Sequence, residues 1–166
     1  MKRCASILLS FTAMALMTNP VLAQSKATAG FKKLKSLVGE WQGTGPHGKV
    51  NVSYQLISGG SALMETLEPS SEPSMATIYH LDGNKLAMTH YCSIGNQPRM
   101  LAEAPSGEIK NINFTFVDAA NLAKPSDGHM TNLTLIFEDK DHLKQVWTWR
   151  QDGKDIPATF TLERKK

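Results

Sequence analysis

His90 and Cys92 stand two residues apart in the run Thr89-His90-Tyr91-Cys92, a spacing that puts both on one face of a strand. An imidazole beside a thiol could work as base and nucleophile, or the two could serve as soft metal ligands. A nucleophilic site also needs an acid to orient the histidine, and a metal site needs further ligands at a recognisable spacing; the sequence around the pair offers neither. A lone cysteine on an apolar face behaves as a small hydrophobe, so the pair reads as part of an apolar wall in which His90 is the polar member. Glu65 shares a face with Leu63 and Leu67 and could enter an interior to meet Arg99. Carboxylates are rarely buried unless paired, so the expected place for Glu65 is a rim.

The elements that must position these residues follow from periodicity. Phe31, Leu34, Leu37 and Val38 recur at three to four with Lys32, Lys33 and Lys35 between them, which predicts a short amphipathic helix over 31–38, ended by Gly39. After Gly39 the period is two. Short strands are predicted at 40–44, 50–56, 61–68, 75–81, 86–92, 98–104, 112–116, 133–137, 145–149 and 158–164, separated by turn residues such as Asp82-Gly83-Asn84 and Asp152-Gly153. About ten strands joined by tight turns, with no βαβ crossover, predict an all-β fold: a closed up-and-down antiparallel β-barrel with one N-terminal helix, closure removing the exposed edges of an open sheet. Pairing Leu81 with Leu86 across the Asp82 turn sets Tyr79 opposite Met88 and Thr77 opposite His90, on the face of Cys92. A shift by one residue would bring in His80 and Tyr91 instead, and the first register is favoured because it buries Met75, Leu81, Leu86, Met88 and Cys92 together.

Lys2 and Arg3, the uncharged apolar stretch from Ile7 to Met17, and Val21-Leu22-Ala23 form the pattern of a cleaved secretory signal peptide over 1–23, too short in its apolar part to span a bilayer. The expectation is an exported protein, periplasmic or secreted, with no membrane span after cleavage. Removing residues 1–23 from the 166 leaves 143, one domain with enough chain for a core. Without Lys2 and Arg3 the 18 basic residues become 16 against 15 acidic ones, a formal charge of +1, so no nucleic-acid surface is implied. Of the two cysteines Cys4 lies in the leader, which leaves Cys92 with no partner for a disulfide.

The helix followed by Leu37-Val38-Gly39-Glu40-Trp41-Gln42-Gly43-Thr44-Gly45 resembles the opening of calycin proteins, the superfamily of lipocalins, fatty-acid-binding proteins and nitrobindins, with Gly39-x-Trp41 in the place of their glycine-x-tryptophan signature. The resemblance implies a tryptophan, Trp41, that plugs one end of the barrel, and an arginine from the last strand, Arg164, stacked over it. The run 89–92 with Asn96-Gln97-Pro98-Arg99-Met100 is similar to small exported lipocalin-like proteins of bacteria without an assigned activity. A nitrobindin-like haem would need a histidine near the end of the chain. No histidine follows His142, which sits by a charged turn, so no cofactor is expected.

Together these features point to a barrel that holds a small apolar ligand. Phe114 and Trp147 are expected to line the cavity with Cys92, and Tyr79, His90 and Arg99 to serve as polar handles. Two other readings stay open: an enzyme acting on a bound small molecule through His90 with Cys92 or Glu65, and a structural or partner-binding barrel with a filled interior.

Overall fold

The computed structural model describes residues 20–105 and 107–166, with side chains from Lys26 onward. The expected leader, 1–23, lies almost wholly outside the described residues.

The helix α1 runs Pro20–Lys35, longer than the predicted 31–38 because Ala27 extends the apolar stripe of Phe31, Leu34 and Leu37, all of them buried. Gly30 continues that contact face: a Cβ there would meet Leu86 Cδ1 at 2.9 Å and Pro105 Cδ at 3.2 Å. Val38, assigned above to the same stripe, is 41% exposed, because the helix closes at Lys35 and a single turn, Leu37 N–H to Leu34 O at 3.0 Å, redirects the chain. Gly39 then takes φ +126°, a conformation in which an L side chain is strained.

Ten strands follow: β1 (Gly39–Gly45), β2 (Gly48–Ile57), β3 (Ala62–Pro69), β4 (Met75–Asp82), β5 (Lys85–Tyr91), β6 (Gln97–Glu103), β7 (Asn111–Ala120), β8 (His129–Phe137), β9 (His142–Gln151) and β10 (Lys154–Arg164). Each pairs antiparallel with its neighbours in sequence, and β1 pairs with β10, which closes the barrel. Among the described residues the architecture is all-β with one α-helix, and a closed antiparallel ten-strand barrel is consistent with a calycin-like fold. Across the β4–β5 hairpin Leu81 faces Leu86, Tyr79 faces Met88 and Thr77 faces His90, the register that buries the apolar set.

Alternation of buried and exposed residues along each strand sends one side chain in two to the interior. Two bulges break the count. One lies between Arg99 and Met100 of β6, which pair with Asp118 and Phe116, and one between Met130 and Asn132 of β8.

The end of the barrel next to α1 is stoppered. Trp41 is 1% exposed and its indole N–H donates to Leu37 O at 2.8 Å. The Arg164 guanidinium lies 4.2 Å from the Trp41 ring centroid and donates to the carbonyls of Val38 and Ser36, each at 2.8 Å, and of Lys140 at 3.2 Å. One cation thus ties the helix exit, the β8–β9 turn and the first strand to the last.

Candidate functional site

Above the Trp41 plug, β2, β3, β4 and β9 send polar side chains into the middle of the barrel. Tyr54, Glu65, Tyr79 and Gln145 are buried there, the last three with no exposed surface. Tyr79 OH donates to Glu65 Oε2 at 2.6 Å. The Gln145 amide donates to Glu65 Oε1 at 3.0 Å and to the Tyr54 hydroxyl at 2.6 Å, and its carbonyl accepts the Trp147 indole N–H at 3.0 Å. Both donors and the acceptor of Gln145 are used, so the amide orients a carboxyl group, a phenol and an indole at once.

Burial pushes the Glu65 carboxyl above the usual carboxylate range, with hydrogen bonds from Tyr79, Gln145 and Tyr54 pulling the other way. The phenols of Tyr54 and Tyr79 are pushed well above 10.0, first by burial and then by the Glu65 charge, and both stay neutral at physiological pH. The expectation of a rim position for Glu65, and of its meeting Arg99, is corrected by this geometry: a carboxyl group can be buried without a cation where several neutral donors converge on it.

One step toward the other end lies His90. Its Nδ1 is 2.9 Å from the Thr77 hydroxyl, and its ring packs on Trp147 at 4.6 Å between centroids, 47° between planes. The ring is 3% exposed, and burial lowers its pKa to about 4. Nε2, also buried, meets no hydrogen-bonding group among the described residues.

Beyond His90 the barrel opens. A cavity of about 380 Å³ occupies the mouth opposite the Trp41 plug, walled by Met75, Cys92, Met130, Trp149, Ile156 and Phe160 among others. Met75 and Trp149 stand two residues from Thr77 and Trp147 along β4 and β9, and Cys92, just past the end of β5, stands two residues from His90, so the histidine layer lies directly beneath the cavity layer. Gly128, in the loop before β8, makes room for the wall: a Cβ there would come within 2.1 Å of Trp149 Cζ2.

The structure distributes the residues singled out from sequence over four places: the cavity wall, the layer beneath it, the core and the outer face. Cys92 is in the cavity wall, half-buried and unbridged. His90 is one layer deeper. Tyr79, Phe114 and Trp147 are packed in the core, Tyr79 against Phe114 at 5.6 Å, with the polar atoms of Tyr79 and Trp147 committed to Glu65 and Gln145. Arg99 is on the outer face, where its Nε donates to Asp118 Oδ1 at 2.7 Å. Period two from the buried Pro98, Met100 and Ala102 leaves Arg99 pointing outward, so it is no polar handle for the interior. The residues that sequence reasoning passed over are Tyr54, whose strand alternation placed it inside, and the mouth residues Met130, Ile156 and Phe160; Met75 is expected from the β4–β5 register to be buried, and the structure sets it in the cavity wall.

The hydrogen bond of His90 goes to Thr77, not to a thiol or carboxylate, and the Glu65 oxygens are occupied by Tyr79 and Gln145. Among the described residues no three His, Cys, Asp or Glu side chains come together as a metal site would require. No protein-family model matches this chain, and no curated protein matches it.

Proposed function

We propose that this chain is an exported binding barrel of the calycin kind, a carrier or sensor that takes a small apolar molecule into the mouth of the barrel. The observation that carries the reading is the mouth cavity itself, about 380 Å³ in volume, which is within the size range of small-molecule sites. Its wall includes two methionines, an indole, a phenyl ring and two isoleucines, together with the exposed His47 and Glu72. Methionine and aromatic walls adapt to apolar shapes, and the single lysine among them, Lys49, is exposed. The plugged opposite end and the packed layers below His90 make the mouth the way in.

The neutral apolar fluorophore N-phenyl-1-naphthylamine tests this. The expected result is saturable fluorescence enhancement with quenching of tryptophan emission, both weakened when Trp149 is replaced by alanine. Probe fluorescence that rises without saturation, alike in wild type and Trp149→Ala, contradicts the reading.

A further inference from the structure

We propose that His90 is the polar anchor of the mouth cavity, and that the cavity is built for an apolar molecule carrying one uncharged hydroxyl or carbonyl group, which reaches the His90 Nε2. The inference rests on the reading of the mouth as a ligand site and adds to it the chemistry of the ligand's inner end.

Three observations converge on this assignment. The His90 ring is fixed on two sides, by Thr77 at Nδ1 and by the face of Trp147, so it cannot turn Nε2 toward another protein group. That nitrogen is buried with no hydrogen-bonding partner among the described residues, a state that destabilises the fold unless something satisfies it. The cavity begins one residue layer above: His90 is not itself in its wall, but Met75 and Trp149, which are, stand two residues from Thr77 and Trp147 along β4 and β9, and Cys92, just past the end of β5, stands two residues from His90.

Polarity selects the class of ligand. An anionic head group would need a cation beside it, and none faces His90: Arg99 is outside, paired with Asp118, and Lys49 is exposed. A cationic group would need a carboxylate beside His90, but the Glu65 oxygens already accept from Tyr79 and Gln145, and Glu72 of the cavity wall is exposed and lies 3.5 Å from His47. A neutral imidazole, donor or acceptor at Nε2 according to which way the Thr77 hydroxyl points, suits a hydroxyl in either state and a carbonyl in one.

The test compares 2-naphthol with its isostere 2-methylnaphthalene, and with 2-naphthoate, on wild type and His90→Phe. Both neutral probes are expected to bind wild type, naphthoate more weakly than naphthol. The ratio of naphthol to methylnaphthalene affinity should fall about 3- to 10-fold in His90→Phe, the value of one net hydrogen bond. A ratio unchanged by the substitution, or naphthoate binding tightest, overturns the anchor while leaving the cavity standing. Failure of both neutral probes to bind wild type overturns the cavity reading and the anchor with it. A readout on wild type alone covers the case in which His90→Phe does not fold. The ¹⁵N resonance of His90 Nε2 should move with naphthol and stay in place with methylnaphthalene, and equal movement with both contradicts the proposal.

Discussion

The Trp147 indole N–H donates to the side-chain carbonyl of Gln145, two residues earlier on the same strand, at 3.0 Å, and through that amide the aromatic floor of the mouth is tied to a carboxyl group in the middle of the barrel. Gln145 has no exposed surface, so every bond it makes is made away from water. Replacing it by leucine would orphan the Trp147 N–H and take one donor each from Glu65 and Tyr54. Gln145→Leu should cost about 2–5 kcal/mol of stability in urea unfolding, since it leaves several buried polar groups unpaired. A loss within about 0.5 kcal/mol, as at an ordinary surface site, would show that the network does not hold the core.

Two buried groups act on acid stability with opposite signs. His90 has its pKa lowered from 6.5 to about 4 by burial, so the unfolded chain takes up a proton that the fold refuses. Its contribution is complete above pH 6.5 and is lost as pH falls toward 4, up to about 3 kcal/mol. Glu65 has its pKa raised from 4.5, so the fold holds a proton that the unfolded chain gives up, and this contribution is complete below 4.5 and is lost as pH rises through the raised value. Glu65 pairs with Thr77, the partner of His90, across β3 and β4, so the two groups are neighbours. Wild type is expected to lose stability on acidification from pH 6.5, His90→Phe to lose less, and Glu65→Gln to lose more. Denaturant midpoints measured across that range check the order, and parallel profiles for all three proteins would contradict it.

Trp41 and Arg164 close the far end together. Removing the Trp41 indole opens a cavity under α1, and Trp41→Ala should cost about 3–5 kcal/mol. Arg164→Ala gives up the cation over the ring and three bonds to backbone carbonyls, an expected loss of about 1–3 kcal/mol. The comparison is urea unfolding beside Lys32→Ala on the exposed face of the helix. If Trp41→Ala unfolds at the midpoint of Lys32→Ala, the plug is not structural.

Arg99 supplies a negative control. It is an exposed residue whose ion pair with Asp118 lies in water, and such pairs contribute little to stability. Arg99→Ala should leave stability nearly unchanged and should bind N-phenyl-1-naphthylamine as wild type does. A large loss of probe affinity would place the ligand on the outer face instead.

Most of the barrel could be read from alternation, because a strand with one wet and one dry face writes its burial into every second residue. The β4–β5 register was legible for the same reason: Met75, Leu81, Leu86 and Met88 fit one side only. Arg99 was legible in principle, since Met100 beside it is a clear inward residue and period two then turns Arg99 outward. Met130 was not legible. It lies three residues before Leu133, which single alternation sends to the opposite face, yet Met130 pairs with Trp149 and Leu133 with Trp147, two residues apart, because the bulge after Met130 absorbs the odd residue. The buried state of Glu65 was also out of reach, because it depends on Tyr79 and Gln145 arriving from two other strands, and only the closed barrel brings them together.

On the proposed function the mouth, and not the packed interior or the outer face, receives the ligand. Methionine methyl groups report on all three. Met75 and Met130 line the mouth cavity, Met100 is buried in the core with no exposed surface, and Met64 lies on the alternate face of β3 from the buried Leu63 and Glu65. Titrating ¹³C-methyl-methionine protein with 2-naphthol should move the Met75 and Met130 resonances in a saturable way and leave Met100 and Met64 in place. Movement confined to Met100 or Met64, or no movement at any methionine, would contradict the account.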